Sequence, residues 1–319
     1  MKLLAALFAA LACTAVATQA AADTSQPVYV LCQDAAVLAV INSKTDEITE
    51  RVQLAGKPAS FALDATAGTA YVTQPEVGEI TIVDLKKQKV TGNLRVGGQP
   101  FGIVASPNGQ LYVSDWSADR VTVFDLKSGS IIASIPVGKS PAHLALSKNG
   151  ELLFVANRES NSISVIDAHK LTVTKEIGVG KAPFALALTS DQKNLVVANV
   201  QSATMSIIDA ATLSVVSTHQ TRAMPYGVAV AKDSSTILIS NQQNGSVSIF
   251  NARTQQLRED VKVGRYPEGL AVIRDGRKAY VANWFSADIS VIDLATGAEI
   301  KRIKCPEGPR MVLAGALER

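Results

Sequence analysis

Three features of the 319-residue chain predict an all-β protein, a seven-bladed β-propeller of four-stranded blades. A repeat of about 42 residues occurs seven times, apolar side chains alternate by two within it, and turn residues recur at fixed places between the apolar runs. Helical solenoids of similar period need apolar spacings of three and four, whereas Ser162–Asp167 and Val121–Asp125 alternate by two.

The repeat aligns on a strand opener: Tyr29-Val30, Tyr71-Val72, Tyr112-Val113, Phe154-Val155, Val196-Val197, Leu238-Ile239 and Tyr280-Val281. Thirteen residues after each opener stands Asn42, Asp84, Asp125, Asp167, Asp209, Asn251 or Asp293, and twenty-nine after it a proline, from Pro58 to Pro309. Each blade then divides in order. Strand A follows the proline, as in Phe184–Leu188, and leads into a polar turn such as Ser147-Lys148-Asn149-Gly150. Strand B is the opener segment. Strand C ends on the Asp or Asn, whose side chain can bond the backbone of the following turn. Strand D is rich in Thr, Val and Ile, is placed outermost, and runs into the crossover to the next proline.

In strand A, the positions two and four past the proline are mostly small, for example Gly102, Ala185 and Ala187, which suits crowding at a propeller axis. The intervening Leu144, Leu146, Leu186, Leu188, Leu270 and Val272 are placed between blades. The first blade lacks a strand A before it, and Pro309–Ala314 is a strand A without a blade. Pairing Arg310–Ala314 into blade 1 closes the ring and removes its edges.

Residues 1–22 read as a signal peptide: a basic Lys2, the apolar Leu3–Val16, and Ala20-Ala21-Ala22 before cleavage ahead of Asp23. Residues 23–319 are then the propeller, with a periplasmic or secreted location. A lipoprotein acylated at Cys13 is the lesser alternative, because the usual Leu three residues before the Cys is missing. No later stretch is apolar enough for a membrane span. Removing the signal leaves Cys32 and Cys305, which the strand register brings to one face at the closure. There they are either a disulfide stapling the ring or two buried thiols.

The segments FVAN at Phe154–Asn157, VVAN at Val196–Asn199 and YVAN at Tyr280–Asn283 are followed by SVID at Ser164–Asp167 and Ser290–Asp293. The crossovers carry IPVG at Ile135–Gly138 and IGVG at Ile177–Gly180. Over Pro27–Leu313 this pattern resembles the YVTN family of β-propeller repeats. The resemblance implies the architecture and says little about function. Similar propellers serve as bacterial surface and periplasmic binding proteins, as a DNA binder, and as parts of redox enzymes. Blade 5 departs most from the family pattern, with His219–Met224 in place of the Val-Gly crossover, and in blade 1 Cys32 stands where Asn is usual.

Catalytic and cofactor motifs are missing. There is no haem-attachment Cys-x-x-Cys-His, no zinc-type His-Glu-x-x-His, no Gly-x-Ser-x-Gly and no phosphate loop. No catalytic residue, metal ligand or cofactor is therefore assigned. The net charge of +3 gives no argument for nucleic acid or membranes. The departures from the repeat do fall on one face, around the expected channel mouth. Trp116 and Trp284 share one register position, also held by Arg158. Phe101, Phe184 and Tyr226 follow their prolines directly, and His143 stands one step further. Lys139, Lys181, Arg222 and Arg265 lie on crossovers.

Each has a plainer reading. The Phe and Tyr rings can cap the inter-blade core, the Trp rings can pack on neighbouring blades, and His143 can be an inner-strand histidine. The basic residues alternate with Asp34, Glu76, Asp119, Glu159, Glu268 and Glu307, as on a solvated mixed surface.

The reading preferred is a non-enzymatic binding or scaffold protein that offers Trp116, Trp284, Phe101, Phe184, Tyr226, His143, Arg158, Arg222 and Arg265 to a protein, peptide or small ligand. The alternative is an enzyme or accessory subunit of a periplasmic redox or lactone-hydrolysing system, partnered with an oxidoreductase. Its acid–base candidates are Asp115, His143 and Glu268. Single-stranded nucleic-acid binding by aromatic stacking ranks third, given the near-neutral charge.

Overall fold

The computed structural model describes residues 25–64 and 66–315; the segment read as a signal peptide lies outside the described residues. Seven four-stranded antiparallel sheets form the blades of the propeller. The one helical element among the described residues is the short 3-10 turn Trp284–Ser286. No helix among them is long and apolar enough to cross a membrane.

Blade 4 shows the construction. Its strands are Pro141–Leu146 (A), Leu152–Asn157 (B), Ser162–Asp167 (C) and Thr172–Gly178 (D), paired in that order. Strand B is apolar on both faces because it is covered by a blade on either side. Phe154, Val155 and Ala156 are all fully buried. Strand D, at the outer rim, buries only Ile177. The inter-blade layers carry the stability: truncating Phe154 to Ala is expected to cost about 3–5 kcal/mol. Leu144, Leu186 and Leu270 lie in these layers, as the alternation predicts. The channel wall is less uniformly small than expected, since Leu63, Leu146 and Leu313 also line it.

The punctuation residues have local roles. Asp167 Oδ1 accepts hydrogen bonds from the backbone N–H groups of His169 (3.0 Å) and Lys170 (2.9 Å), closing the C–D turn. Asn42, Asp84, Asp209, Asn251 and Asp293 each do the same. The Val-Gly crossover has a packing cause. A Cβ on Gly138, Gly180 or Gly264 would meet the side chain of Asn157, Asn199 or Asn283 at 2.7, 2.7 or 2.6 Å. Those Asn side chains are fully buried at the end of strand B, and each donates to hydroxyl or carboxylate oxygens of strand C. The opener's terminal Asn and the crossover glycine are thus two halves of one contact.

Closure follows the expected route. Pro309–Ala314 pairs antiparallel with Pro27–Cys32, matching Val28 with Ala314 and Val30 with Val312. The Lys278 ammonium lies 2.7 Å from the Asp46 carboxylate across the joint between blades 7 and 1. Beside the joint, Cys32 Sγ and Cys305 Sγ are 3.2 Å apart as free thiols. The neighbouring thiol, and then burial, push the Cys32 pKa up.

Candidate functional site at the channel mouth

The start of strand A aims one column of side chains at the channel mouth. In blade 4 the pairing steps from Pro141↔Asn157 to Leu144↔Val155, so Ala142 and His143 both oppose Ala156. This bulge recurs after Pro100, Pro183, Pro225 and Pro267, and a register shift marks the matching place in blade 1. A bulge turns side chains out of the regular alternation and is a common way to re-aim them at a site. The residue directly after the proline is, from blade 2 round to blade 1, Ala59, Phe101, Ala142, Phe184, Tyr226, Glu268 and Arg310. One repeat position therefore supplies three aromatic rings, an acid and a base to one place.

The rings of this column, with His143 one step beyond it and Arg310, form a nearly continuous circuit. The rings of Phe101 and His143 are 5.6 Å apart, His143 and Phe184 5.0 Å, and Phe184 and Tyr226 4.0 Å. Tyr226 then meets Arg310, whose Nη2 donates to the phenol oxygen at 3.2 Å. The Arg310 guanidinium lies 5.3 Å from the Phe101 ring and 5.2 Å from that of Trp284. Its Nη1 donates to Gln33 Oε1 at 3.2 Å. Outside the circuit is a concave mouth of about 600 Å³, and inside it an apolar channel of about 490 Å³. Phe184, Tyr226 and Arg310 line both, so they form the constriction between the two.

Glu268 is the unusual group. It is 2% exposed, and its Oε1 accepts from Gln242 Nε2 at 2.8 Å. Its Oε2 has no hydrogen-bond partner and lies 3.6 Å from Arg310 Nε, within ion-pair range but too long for a hydrogen bond. Burial pushes its carboxyl up to about 8, against the opposing pull of Arg310 and the Gln242 hydrogen bond. Burial wins because Arg310 directs donors at Gln33 and Tyr226 instead. His143 is driven down to about 3 by burial first and then by Arg310. The ring keeps some accessible surface, but that surface faces the narrow channel and its own aromatic neighbours, so it stays neutral at ordinary pH.

The predicted residues separate into two groups. Trp116, Trp284, Phe101, Phe184, Tyr226 and Arg158 line the mouth, and His143 lines the channel just inside it. Phe184 is also core, packed with Ala142, Ala182 and Val200, so the capping and mouth readings both hold for it. Trp116 stacks 5.0 Å from Phe101, and Arg158 lies 6.0 Å from the Trp116 ring while paired with Glu159. Trp284 Nε1 donates to Asp34 at 3.1 Å.

Arg222 and Arg265 line neither cavity. Arg222 is exposed and pairs with Asp260 at 2.9 Å, while Arg265 donates to the Phe285 carbonyl at 2.9 Å. Asp115 also lines neither. It is buried at the end of strand B in blade 3, 3.0 Å from Arg120, and accepts from Gln99 N–H at 3.0 Å. Sequence reasoning missed Arg310, Tyr266 and Phe285. Arg310 had a legible signal, since it follows Pro309 in the same column as Phe101, Phe184 and Tyr226. Among the described residues, no group of three or more His, Cys, Asp or Glu side chains is placed to hold a metal ion.

Comparisons with known proteins agree on architecture. A YNCE-like β-propeller family model matches residues 142–235, and a seven-bladed β-propeller lactonase model matches residues 67–176. No curated protein matches the chain. Hydrazine synthase of Kuenenia stuttgartiensis is similar in structure, with 19% identity and a TM-score of 0.74, over 88% of this chain and 99% of that one. A putative 6-phosphogluconolactonase from Bacteroides fragilis gives 16% identity and a TM-score of 0.79 over 93% and 99%. The dihydro-heme d1 dehydrogenase NirN in complex with DHE gives 14% and 0.70 over 92% and 76%. At such identities these likenesses establish a seven-bladed β-propeller fold and nothing narrower.

Proposed function

We propose that this chain is a periplasmic or secreted binding protein of the YVTN-repeat type, which holds a ligand or partner at the channel mouth without transforming it. The observation that carries the reading is the column after the prolines, where regular blades give way to Phe101, Phe184, Tyr226, Glu268 and Arg310 around one opening. Structural duty alone does not call for this set, because Ala59 and Ala142 occupy the same position in two other blades. An aromatic, concave surface of about 600 Å³ with a few convergent polar groups has the make-up of a ligand site.

The test is capture. The chain is exported with its leader, purified under native conditions and examined by native mass spectrometry for retained molecules, beside a variant carrying Trp116→Ala and Trp284→Ala. The reading predicts a retained species that the double variant loses. Equal retention by both proteins would move the site elsewhere.

A second reading, hydrolysis of a lactone, is favoured by the lactonase match over residues 67–176. Its acid–base candidates are poorly gathered: Asp115 is tied to Arg120, and only Glu268 and His143 border the two cavities. Turnover of a δ-lactone above the buffer rate, lost in Glu268→Gln, would favour it over simple binding.

A further inference from the structure

Resting on the channel-mouth reading, we infer that the ligand is a small, flat, aromatic or conjugated carboxylate, seated with its carboxylate on Arg310 and its body among the mouth rings, beside the buried Glu268. Four observations lead there.

The walls are rings. Phe101, Trp116, Tyr266, Trp284 and Phe285 surround the opening, and Phe285 is 61% exposed. Such walls favour a planar body by stacking and edge contacts.

The floor is a cation with capacity left over. A guanidinium has five N–H donors, and Arg310 commits two of them at hydrogen-bond distance, to Gln33 and Tyr226. A single fork suits a carboxylate. A phosphate dianion would need more positive charge than is offered, because the other mouth cation, Arg158, is already paired with Glu159 and sits at the Trp116 wall.

The acid beside it is buried and incompletely bonded. Glu268 Oε2 is without a hydrogen-bond partner in a side chain that is 98% shielded, so a proton there can be donated to an incoming anion. The groups facing Glu268 are Arg310 and Asp34 from blade 1, Tyr226 and Gln242 from blade 6, and the neighbouring Tyr266. Arg310 is the only cation among them. With Glu268 neutral its charge is free for a ligand, and with Glu268 ionised the charge is spent internally.

A cationic ligand is disfavoured by the same arrangement. The aromatic cage already encloses the Arg310 guanidinium, with rings at 5.3 and 5.2 Å.

The experiment uses 2-naphthoate, its amide 2-naphthamide, cyclohexanecarboxylate, and a short peptide ending in tryptophan with a free carboxylate. Trp116 and Trp284 are the only two tryptophans and both line the mouth, so intrinsic fluorescence reports on the site, with calorimetry as the second readout. The acid is expected to bind at least ~10-fold more tightly than its amide and than the non-aromatic acid. Above about pH 8 its affinity is expected to fall by up to ~10-fold per pH unit as Glu268 ionises, with proton uptake visible in buffers of different ionisation heat. Glu268→Gln is expected to flatten that pH dependence while keeping the preference for the acid. Arg310→Lys, which keeps charge but loses the fork, and Arg310→Gln are expected to weaken the acid at least ~10-fold and leave the amide unchanged.

Thermal melts identify any variant that fails to fold, and Glu268→Gln keeps the test open in that event. Acid and amide binding equally would overturn the carboxylate assignment while leaving a mouth site in place. No saturable binding of 2-naphthoate up to about 1 mM, with a ligand still captured in the native experiment, would overturn the ligand class alone. Binding of the peptide more tightly than of the free acid would overturn the small-molecule assignment in favour of a protein C-terminus.

Discussion

Glu268 makes a quantitative claim about stability. Its carboxyl is 2% exposed and is raised from an ordinary value near 4.5 to about 8, with burial as the dominant cause. The sign follows from linkage. Between those two values the folded chain keeps the proton and the unfolded chain has lost it, so folding stability falls as pH rises through this window and levels off above about 8. At ~1.4 kcal/mol for each factor of ten in the proton equilibrium, the full cost approaches about 5 kcal/mol. Water entering the open mouth will relieve part of that, so about 2–3 kcal/mol is the realistic effect. Glu268→Gln removes the charge and retains an oxygen to accept from Gln242. Urea unfolding of both proteins at about pH 5, 7 and 9 measures the difference. The variant is expected to match the parent near pH 5 and to exceed it by about 2–3 kcal/mol at pH 9. Other titrating groups cancel in the comparison. A difference that stays constant across this range would refute the claim that Glu268 is a buried acid neutral at pH 7.

Three further outcomes follow from the same geometry. Gly98→Ala is expected to destabilise the chain by about 2–4 kcal/mol by denaturant titration, since its φ is +60° and a Cβ would sit 1.9 Å from the buried Asp115 carboxylate. His143→Phe is expected to lose less stability than the parent on acidification from about pH 6.5 to 4. The His143 pKa is lowered to about 3, so its neutral buried form contributes stability only above the unfolded-state pKa, and that contribution is lost as pH falls. Cys32 and Cys305, with sulfurs 3.2 Å apart at the closing seam, are expected to yield no titratable thiol after export to an oxidising compartment. Reduction should then lower stability by up to about 5 kcal/mol, and Cys305→Ser should remove that sensitivity.

Most of the frame was legible because a propeller repeats its local rules. The aspartates thirteen residues past each opener predicted turns, and their Oδ1 atoms close them. The orphan strand at the chain's end predicted the closure, and it pairs with Pro27–Cys32. The aromatic half of the mouth was also legible, since Phe101, Phe184, Tyr226, Trp116 and Trp284 depart from a regular background. Arg222 and Arg265 group with them in the sequence because they lie on crossovers of the same face. Register gives the face of the ring, however, and not the direction of a long side chain: Arg222 pairs with Asp260 and Arg265 donates to the Phe285 carbonyl, and neither lines a cavity. Glu268 stands in the sequence both among the acids interleaved with the basic residues and, with Asp115 and His143, as an acid–base candidate, and the charge pattern does not choose between the two. Nothing in a charge pattern distinguishes a solvated glutamate from one buried beneath a neighbouring blade.

By itself, the sequence determined the number of blades, the order of strands and the place where the ring closes. These depend on periodicity and turn chemistry, which act within about 42 residues of chain. The tertiary structure decided what the mouth contains. Phe101 and Arg310 are 209 positions apart and belong to blades 3 and 1, and the circular arrangement brings Arg310 between Phe101 and Trp284. The bulge after the proline in blades 3 to 7 decides which side chain is aimed at the mouth, and burial decides that Glu268 holds its proton there.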